Sequence, residues 1–490
     1  MTRDLFALFI MLALLATLPA SAQDNSPHYE VSDCPEIVLR MAYEKVDAVS
    51  CGLLHVPEDR TAGEDSPMLQ LFVIRIAIIP ILHQRNAPIV YLEGGPGVAA
   101  SASLEELLSS TLRFDHELIL IDQRGTGLSL PSLNCPEIDE ATSEDPLAEC
   151  RARLVETGID LAAYNSAANA HDVQDLLTAL DLPAANVYGV SYGTRLALTL
   201  ARDFPQRLRA IILDGVSPPQ AQALAEQAAN GNRAFEQLFA DCAASPQCSQ
   251  AYPDLRDSFN HVIDTLNQEP AEIAHLQSFE ATWMDGEAWI NTVFDLLYKT
   301  SLLPGLPAMI SAHAAGEYRY EEHLLTDAKL DLLLPDSRLK YDDYSEGMYY
   351  SVICAEDVPF ERADDVIAAG AQLPPRIDAV LTKAVMQTFD HCHVWDVPAA
   401  DASEKLPVVS DIPALLFSGA YDPITPPAWA EAAAQSLSNS WHFVFPAAGH
   451  GALGSSDCAD WLALQFLAQP SAGPDGSCIE ELRPPDFHSE

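Results

Sequence analysis

Short runs of branched and aliphatic residues return along the chain, and stretches of helical spacing separate them. The runs are "LQLFVIRIAII" (69–79), "APIVYLEG" (87–94), "HELILIDQ" (116–123), "NVYGVS" (186–191) and "RAIILDG" (209–215). They are apolar at odd and even positions alike, which suits strands buried on both faces rather than strands with one wet side. Between and after them, "NAHDVQDLLTAL" (169–180) and "GTRLALTLARDFPQRL" (193–208) carry apolar residues at helical spacing, the second stopping near Pro205. Strands alternating with helices predict an α/β chain with a mostly parallel sheet covered on both faces.

From about residue 218 to 407 the sequence is helix-rich in Ala, Leu and Glu, and strand signals return at "IPALLFSGAYDP" (412–423) and "WHFVFPAAGHG" (441–451). At 490 residues the chain exceeds a usual single core. The simplest organisation is one α/β core assembled from residues 23–217 and 408–490, with a helical insertion at 218–407. An insertion there sits at the end of the sheet where open α/β folds bind ligands.

The opening "MTRDLFALFIMLALLATLPASAQ" places Arg3 before an apolar run that ends in Pro19 and Ala20-Ser21-Ala22, the layout of a secretory signal peptide at residues 1–22. The run is short for a membrane span, so no stable membrane insertion is expected. Ten cysteines agree with export and fall in local pairs: Cys34 and Cys51, Cys135 and Cys150, Cys242 and Cys248, Cys354 and Cys392, Cys458 and Cys478. Neighbour pairing as disulfides is the expectation, and with no zinc-type spacing no metal site is expected. The 71 acidic against 26 basic residues give a net charge of −45, a field that repels nucleic acid. Nothing in the sequence assigns an oligomeric state.

Gly189-Val190-Ser191-Tyr192-Gly193 lies between a predicted strand and a helix, the setting in which a serine sits on a strained turn with its hydroxyl exposed. A serine hydroxyl needs a base, and the base an orienting carboxylate. Asp422 follows the strand "ALLFSG" and His450 follows "HFVFP", so both stand at strand ends, in the order Ser, Asp, His. These three are the candidate catalytic residues. The N–H of Tyr192 and that of Gly95, in the glycine-rich "YLEGGPGVAAS", are the candidate oxyanion hole, with Gly94 the neighbouring alternative. Such a mechanism requires no metal or cofactor.

The motifs "EGGPG" (93–97), "DQRGTGLS" (122–129), "GVSYGT" (189–194), "LDGVSPP" (213–219), "YDPITP" (421–426) and "AGHG" (448–451) together resemble the α/β-hydrolase serine peptidases of the proline iminopeptidase and tripeptidyl aminopeptidase group. The resemblance implies an α/β-hydrolase fold with a helical cap insertion and a serine hydrolase that takes peptides with a free N-terminus, which the signal layout at residues 1–22 sends to the periplasm or outside the cell. It also implies substrate-binding acids in the cap. "SVICAEDVPF" (351–360) resembles the cysteine-acid stretch of that group and nominates Glu356 first and Asp357 second. A Cys354 to Cys392 bridge would hold that stretch over the core. Proline iminopeptidases carry His before Gly-Gly-Pro-Gly, whereas this chain has Glu93, which moves weight to the tripeptidyl branch and leaves the role of Glu93 open. Arg124, in a motif shared with non-peptidase members of the fold, reads as structural. A secreted carboxylesterase or lipase using the same triad is the alternative, and a non-catalytic binding protein on the same fold is a third reading.

Overall fold

Val187 and Tyr188, or Leu416 and Phe417, are adjacent in sequence yet join different apolar clusters, one on each face of the central sheet. That is the expected consequence of a strand alternating its side chains between two covered faces. The computed structural model describes residues 26–79, 86–140, 143–274, 281–318 and 343–489. The signal peptide expected at residues 1–22 lies outside these described residues.

The strands are β1 (His28–Ser32), β2 (Val49–Pro57), β3 (Met68–Ile76), β4 (Ile89–Leu92), β5 (Leu118–Ile121), β6 (Ala185–Val190), β7 (Leu208–Asp214), β8 (Ala271–Ala274), β9 (Ala281–Met284), β10 (Ala414–Gly419) and β11 (Ser440–Phe445). Nine of them form one sheet in the order β1-β2-β3-β5-β4-β6-β7-β10-β11, while β8 and β9 pair with each other. From β5 to β11 every pairing is parallel; β1, β2 and β3 join antiparallel at one side. The chain is an α/β fold with a mostly parallel sheet, as the alternation of runs predicts. β1 and β2 go beyond that expectation. "HYEVS" is mostly polar and "VSCGLLHVP" is broken by Gly52 and His55, so neither shows a continuous apolar run. They are strands because β3 offers a partner edge and Cys34 is bonded to Cys51.

On one face Val90, Val187, Ile211 and Leu416 pack against Leu176, Leu196 and Leu200 from the helices Ser166–Ala179 and Tyr192–Asp203. On the other, Tyr91, Leu120, Ile212 and Phe417 meet Leu104, Leu462 and Phe466. Each such fully buried side chain contributes about 1.5–3 kcal/mol of transfer free energy, an upper bound on its net worth.

Between β7 and β10 the helices Ala223–Ala244, Leu255–Gln268, Gly286–Leu297, Leu306–Ala314 and Pro375–Trp395 surround an apolar cluster of their own, centred on Phe235, Phe259, Trp289 and Ile310. Tyr421, from the loop after β10, is buried in that cluster, and its hydroxyl donates to Asp241. All five expected cysteine pairs are disulfides: Cys34–Cys51, Cys135–Cys150, Cys242–Cys248, Cys354–Cys392 and Cys458–Cys478.

Parallel strands bring the ends of β4, β6, β7, β10 and β11 to one edge. The chain leaves β4 for β5 on one side and returns to β6 on the other, so the crevice of this sheet lies above β4 and β6. There the first turn of the helix Tyr192–Asp203 presses on the end of β4: a Cβ added to Gly193 would lie 2.0 Å from the Leu92 carbonyl oxygen. A Gly193→Ala substitution is therefore expected to cost at least about 1–3 kcal/mol, read as a lower midpoint in thermal unfolding followed by circular dichroism.

Candidate active site

Ser191 ends the approach of β6 and opens the helix Tyr192–Asp203, with φ 56° and ψ −126°. This is a left-handed backbone that a side chain tolerates only when its surroundings hold it, at a cost of about 1–3 kcal/mol. The restraints are on both sides. The Ser191 N–H donates to the Asp214 carbonyl at 2.9 Å, and the Ser191 carbonyl accepts from the Thr194 hydroxyl at 2.6 Å. Gly94 lies against it from the loop after β4: a Cβ there would be 2.7 Å from Ser191 Cβ and 3.3 Å from its Oγ.

His450 stands in the loop after β11. Its backbone N–H donates to the Tyr298 carbonyl at 3.0 Å, and the Tyr298 ring meets the imidazole edge-on at 5.1 Å between centroids. Its Nδ1 lies 2.8 Å from Asp422 Oδ2. Asp422 is fully buried, and its other oxygen accepts the N–H groups of Ile424 at 2.9 Å and Thr425 at 2.8 Å. The Thr425 hydroxyl donates to Asp422 Oδ2 at 2.6 Å and sits 3.1 Å from His450 Nδ1. Arg233, on the helix Ala223–Ala244, donates to the carbonyls of Ala420 and Asp422, which pins that loop from above. With Nδ1–H committed to the carboxylate, the lone pair of Nε2 is the one presented. Burial pushes the His450 imidazole down, but Asp422, with Asp214 and Glu93 further off, outweighs it and holds the group above its ordinary value.

In the glycine-rich loop, the Gly94 N–H donates to Glu93 Oε1 at 2.8 Å, while Gly95 takes φ +105°. Of the two oxyanion candidates on this loop, Gly94 thus has its donor engaged. Glu93 is a buried brace: its other oxygen accepts from the Tyr91 hydroxyl at 2.6 Å and from the Ser103 hydroxyl. Tyr192 is buried, its hydroxyl 2.9 Å from Ser166 Oγ. Arg124 is wholly buried in an ion pair with Asp172 and bonds to the carbonyls of Pro57, Glu58 and Ala163. Its place is structural.

Glu356 and Asp357 do not present carboxylates to a substrate, which corrects the substrate-binding role expected of them. Both are buried at the end of the helix Glu346–Glu356. Glu356 accepts the Ser166 N–H at 2.6 Å and the Ser166 hydroxyl at 2.7 Å, and lies 3.1 Å from Arg195 Nε. Asp357 pairs with Arg195 Nη1 at 2.9 Å and Lys405 Nζ at 2.8 Å. Burial pushes Glu356 up, with Arg195 opposing it; for Asp357, Arg195 and Lys405 overcome burial and hold the carboxyl low. Arg195 is on the helix that Ser191 opens, so these acids anchor that helix. The Cys354–Cys392 bridge does tie their segment to the helix Pro375–Trp395.

A cavity of about 600 Å³ reaches His450, its wall mixing Glu106 and Lys299 with Tyr188, Tyr298, Thr111 and Ser301. Among these neighbours Asp214, Tyr298, Thr425 and Arg233 were not singled out from sequence. Only Thr425, three residues after a strand-end aspartate, and Asp214, an acid closing an apolar strand, left a readable signal.

A family model described as alpha/beta hydrolase fold matches residues 87–456. Among curated proteins, serine protease Hip1 of Mycobacterium tuberculosis (strain H37Rv) is 24% identical over 475 residues, covering 87% of this chain and 86% of that protein. Carboxylesterase B of the same organism and strain is 25% identical over 446 residues, covering 82% and 80%. A probable proline iminopeptidase of Streptomyces coelicolor is 24% identical over 237 residues, covering 47% and 59%.

Glu356→Gln and Asp357→Asn each leave part of a buried cation uncompensated, so each is expected to destabilise the protein by about 3–5 kcal/mol. Denaturant unfolding measures this, and KM for any substrate should stay near the parent value.

Proposed function

The chain belongs to the α/β hydrolase fold family, and we propose that it is an exported serine aminopeptidase, releasing residues or short peptides from free peptide N-termini through an acyl-enzyme on Ser191. The observation that carries its serine-hydrolase part is the buried carboxylate–imidazole pair of Asp422 and His450 at the sheet edge where β6 delivers Ser191 on a strained turn. In this reading Ser191 Oγ attacks the scissile carbonyl and His450 Nε2 takes its proton, with Asp422 holding the tautomer. The N–H groups of Tyr192 and Gly95 receive the oxyanion. His450 then protonates the departing amine, and water enters by the same route to release the acyl group.

Peptidase chemistry draws support from the motif resemblance and from the relatives named serine protease and proline iminopeptidase. With Glu356 and Asp357 occupied, we assign the substrate's ammonium to Glu106, on the wall of the cavity that also reaches His450. Export draws support from the N-terminal signal layout and the five disulfides. Among the described residues no helix is long and apolar enough to cross a membrane. A carboxylesterase is the second reading, favoured by the relative named carboxylesterase B.

A panel of mono-, di- and tripeptidyl substrates, free and N-acetylated, with simple esters, separates the two. Acetylation should abolish peptide cleavage, Ser191→Ala should remove turnover of every substrate in a folded protein, and Glu106→Gln should raise KM for free-amine substrates only. Equal turnover of blocked and free substrates would make the protein an esterase.

Because the raised His450 must be neutral to accept a proton, activity is lost as pH falls through its pKa. The acid limb of kcat/KM is therefore expected above 6.5, the ordinary imidazole value.

A further inference from the structure

Asp214, the last residue of β7, touches both halves of the candidate site without belonging to the triad. Its backbone carbonyl accepts the N–H of Ser191 at 2.9 Å. Its side chain reaches the other way: Oδ1 accepts the Ala452 N–H at 2.7 Å and Oδ2 the Leu453 N–H at 2.8 Å, just past His450. The next residue, Gly215, lies so close that a Cβ there would be 3.1 Å from His450 Cε1 and 3.3 Å from Nδ1. The end of β7 is thus the surface on which the imidazole rests. The carboxylate is fully buried, and the Tyr188 hydroxyl, at 3.3 Å, is its one further hydrogen-bond partner among those described.

We propose that Asp214 is a positioning residue of the hydrolytic site, a second buried carboxylate that sets the reach between Ser191 and His450 and favours the imidazolium formed when His450 takes the serine proton. The proposal rests on the serine-hydrolase reading above and deepens it. A single residue that bonds the nucleophile's backbone and the base's loop fixes their separation through two short links, whereas the Asp422 bond fixes only the tilt and tautomer of the ring. Its charge acts in the same direction as that of Asp422, since an anion near the imidazole favours its protonated form. Among the described residues, the other titratable or charged groups acting on His450 are Asp422 after β10, Glu93 after β4 and Tyr298 after the helix Gly286–Leu297, and the cavity it lines also carries Tyr188, Lys299, Glu106 and Asp460. Arg233 bonds the Asp422 carbonyl. Asp214, on a strand end, bonds the backbone of the His450 loop through its side chain as well as the Ser191 N–H through its carbonyl, whereas Asp460 reaches that loop only at Gly454.

The test is the rate of covalent labelling of the full chain by a fluorophosphonate probe as a function of pH, which reads serine reactivity without a known substrate. The wild-type rate should rise with pH as His450 loses its proton, and Ser191→Ala should not label. In Asp214→Asn, with the fold checked by near-ultraviolet circular dichroism, the midpoint should move to lower pH by about one unit and the plateau should fall at least about tenfold. Asp214→Glu keeps the anion but displaces the acceptors, so its midpoint should stay near the wild-type value while its plateau falls. It also decides the matter should the Asn variant fail to fold. A merely structural role predicts an unmoved midpoint in Asp214→Asn or a wild-type plateau in Asp214→Glu, and either result overturns the inference while leaving the serine reading intact. Absence of labelling in the wild type overturns both together.

Discussion

Leu92 closes β4 with a carbonyl that the backbone of Gly193 approaches so nearly that a methyl group would overlap it. This contact holds the helix after Ser191 down on the sheet, and the strained turn at Ser191 survives because the helix has nowhere else to go. The other restraints converge on the same helix. Thr194 bonds the Ser191 carbonyl, Tyr192 reaches Ser166, and Arg195 is gripped by two carboxylates from a segment far along the chain. The hydroxyl is placed by close packing of this helix on the sheet and by an ion pair at its side.

What the sequence made legible divides along the range of the interactions. Ser191, Asp422 and His450 each follow an apolar run, so their places at strand ends were readable from local pattern, and the parallel sheet then collects the three at one edge. Five disulfides were readable because each joins cysteines that are also neighbours in order along the chain. Glu356 and Asp357 were misread because an acid beside a cysteine motif looks the same whether it faces a pocket or a guanidinium. The partner that decides the matter, Arg195, lies some 160 residues away. Tyr298 escaped for the same reason, and Thr425 and Asp214 left only a positional signal, because the value of all three comes from what the fold sets beside them. β1 and β2 escaped because they owe their pairing to an available edge rather than to their own composition.

The strongly acidic balance acquires a structural meaning in this light. Cations are scarce, 26 against 71 acids, yet several of them are spent inside the protein. Arg124 with Asp172, Arg195 with Glu356 and Asp357, and Lys405 with Asp357 are buried or nearly so, where an unmatched charge is costly. The surplus of acid therefore falls largely to the surface, where it aids solubility, while these buried cations are each matched by an opposite charge.

The pairing of Arg195 with Glu356 and Asp357 also bears on how such a chain can change over evolutionary time. The strands and the serine turn come from one stretch of sequence and the two anions from another, so the segment between β7 and β10 cannot be exchanged freely for one from a different hydrolase. A replacement lacking two well-placed carboxylates would strand a guanidinium in the interior, on the helix that Ser191 opens. Any segment that rewrites substrate choice must carry this electrical attachment with it, although the attachment lies in the interior.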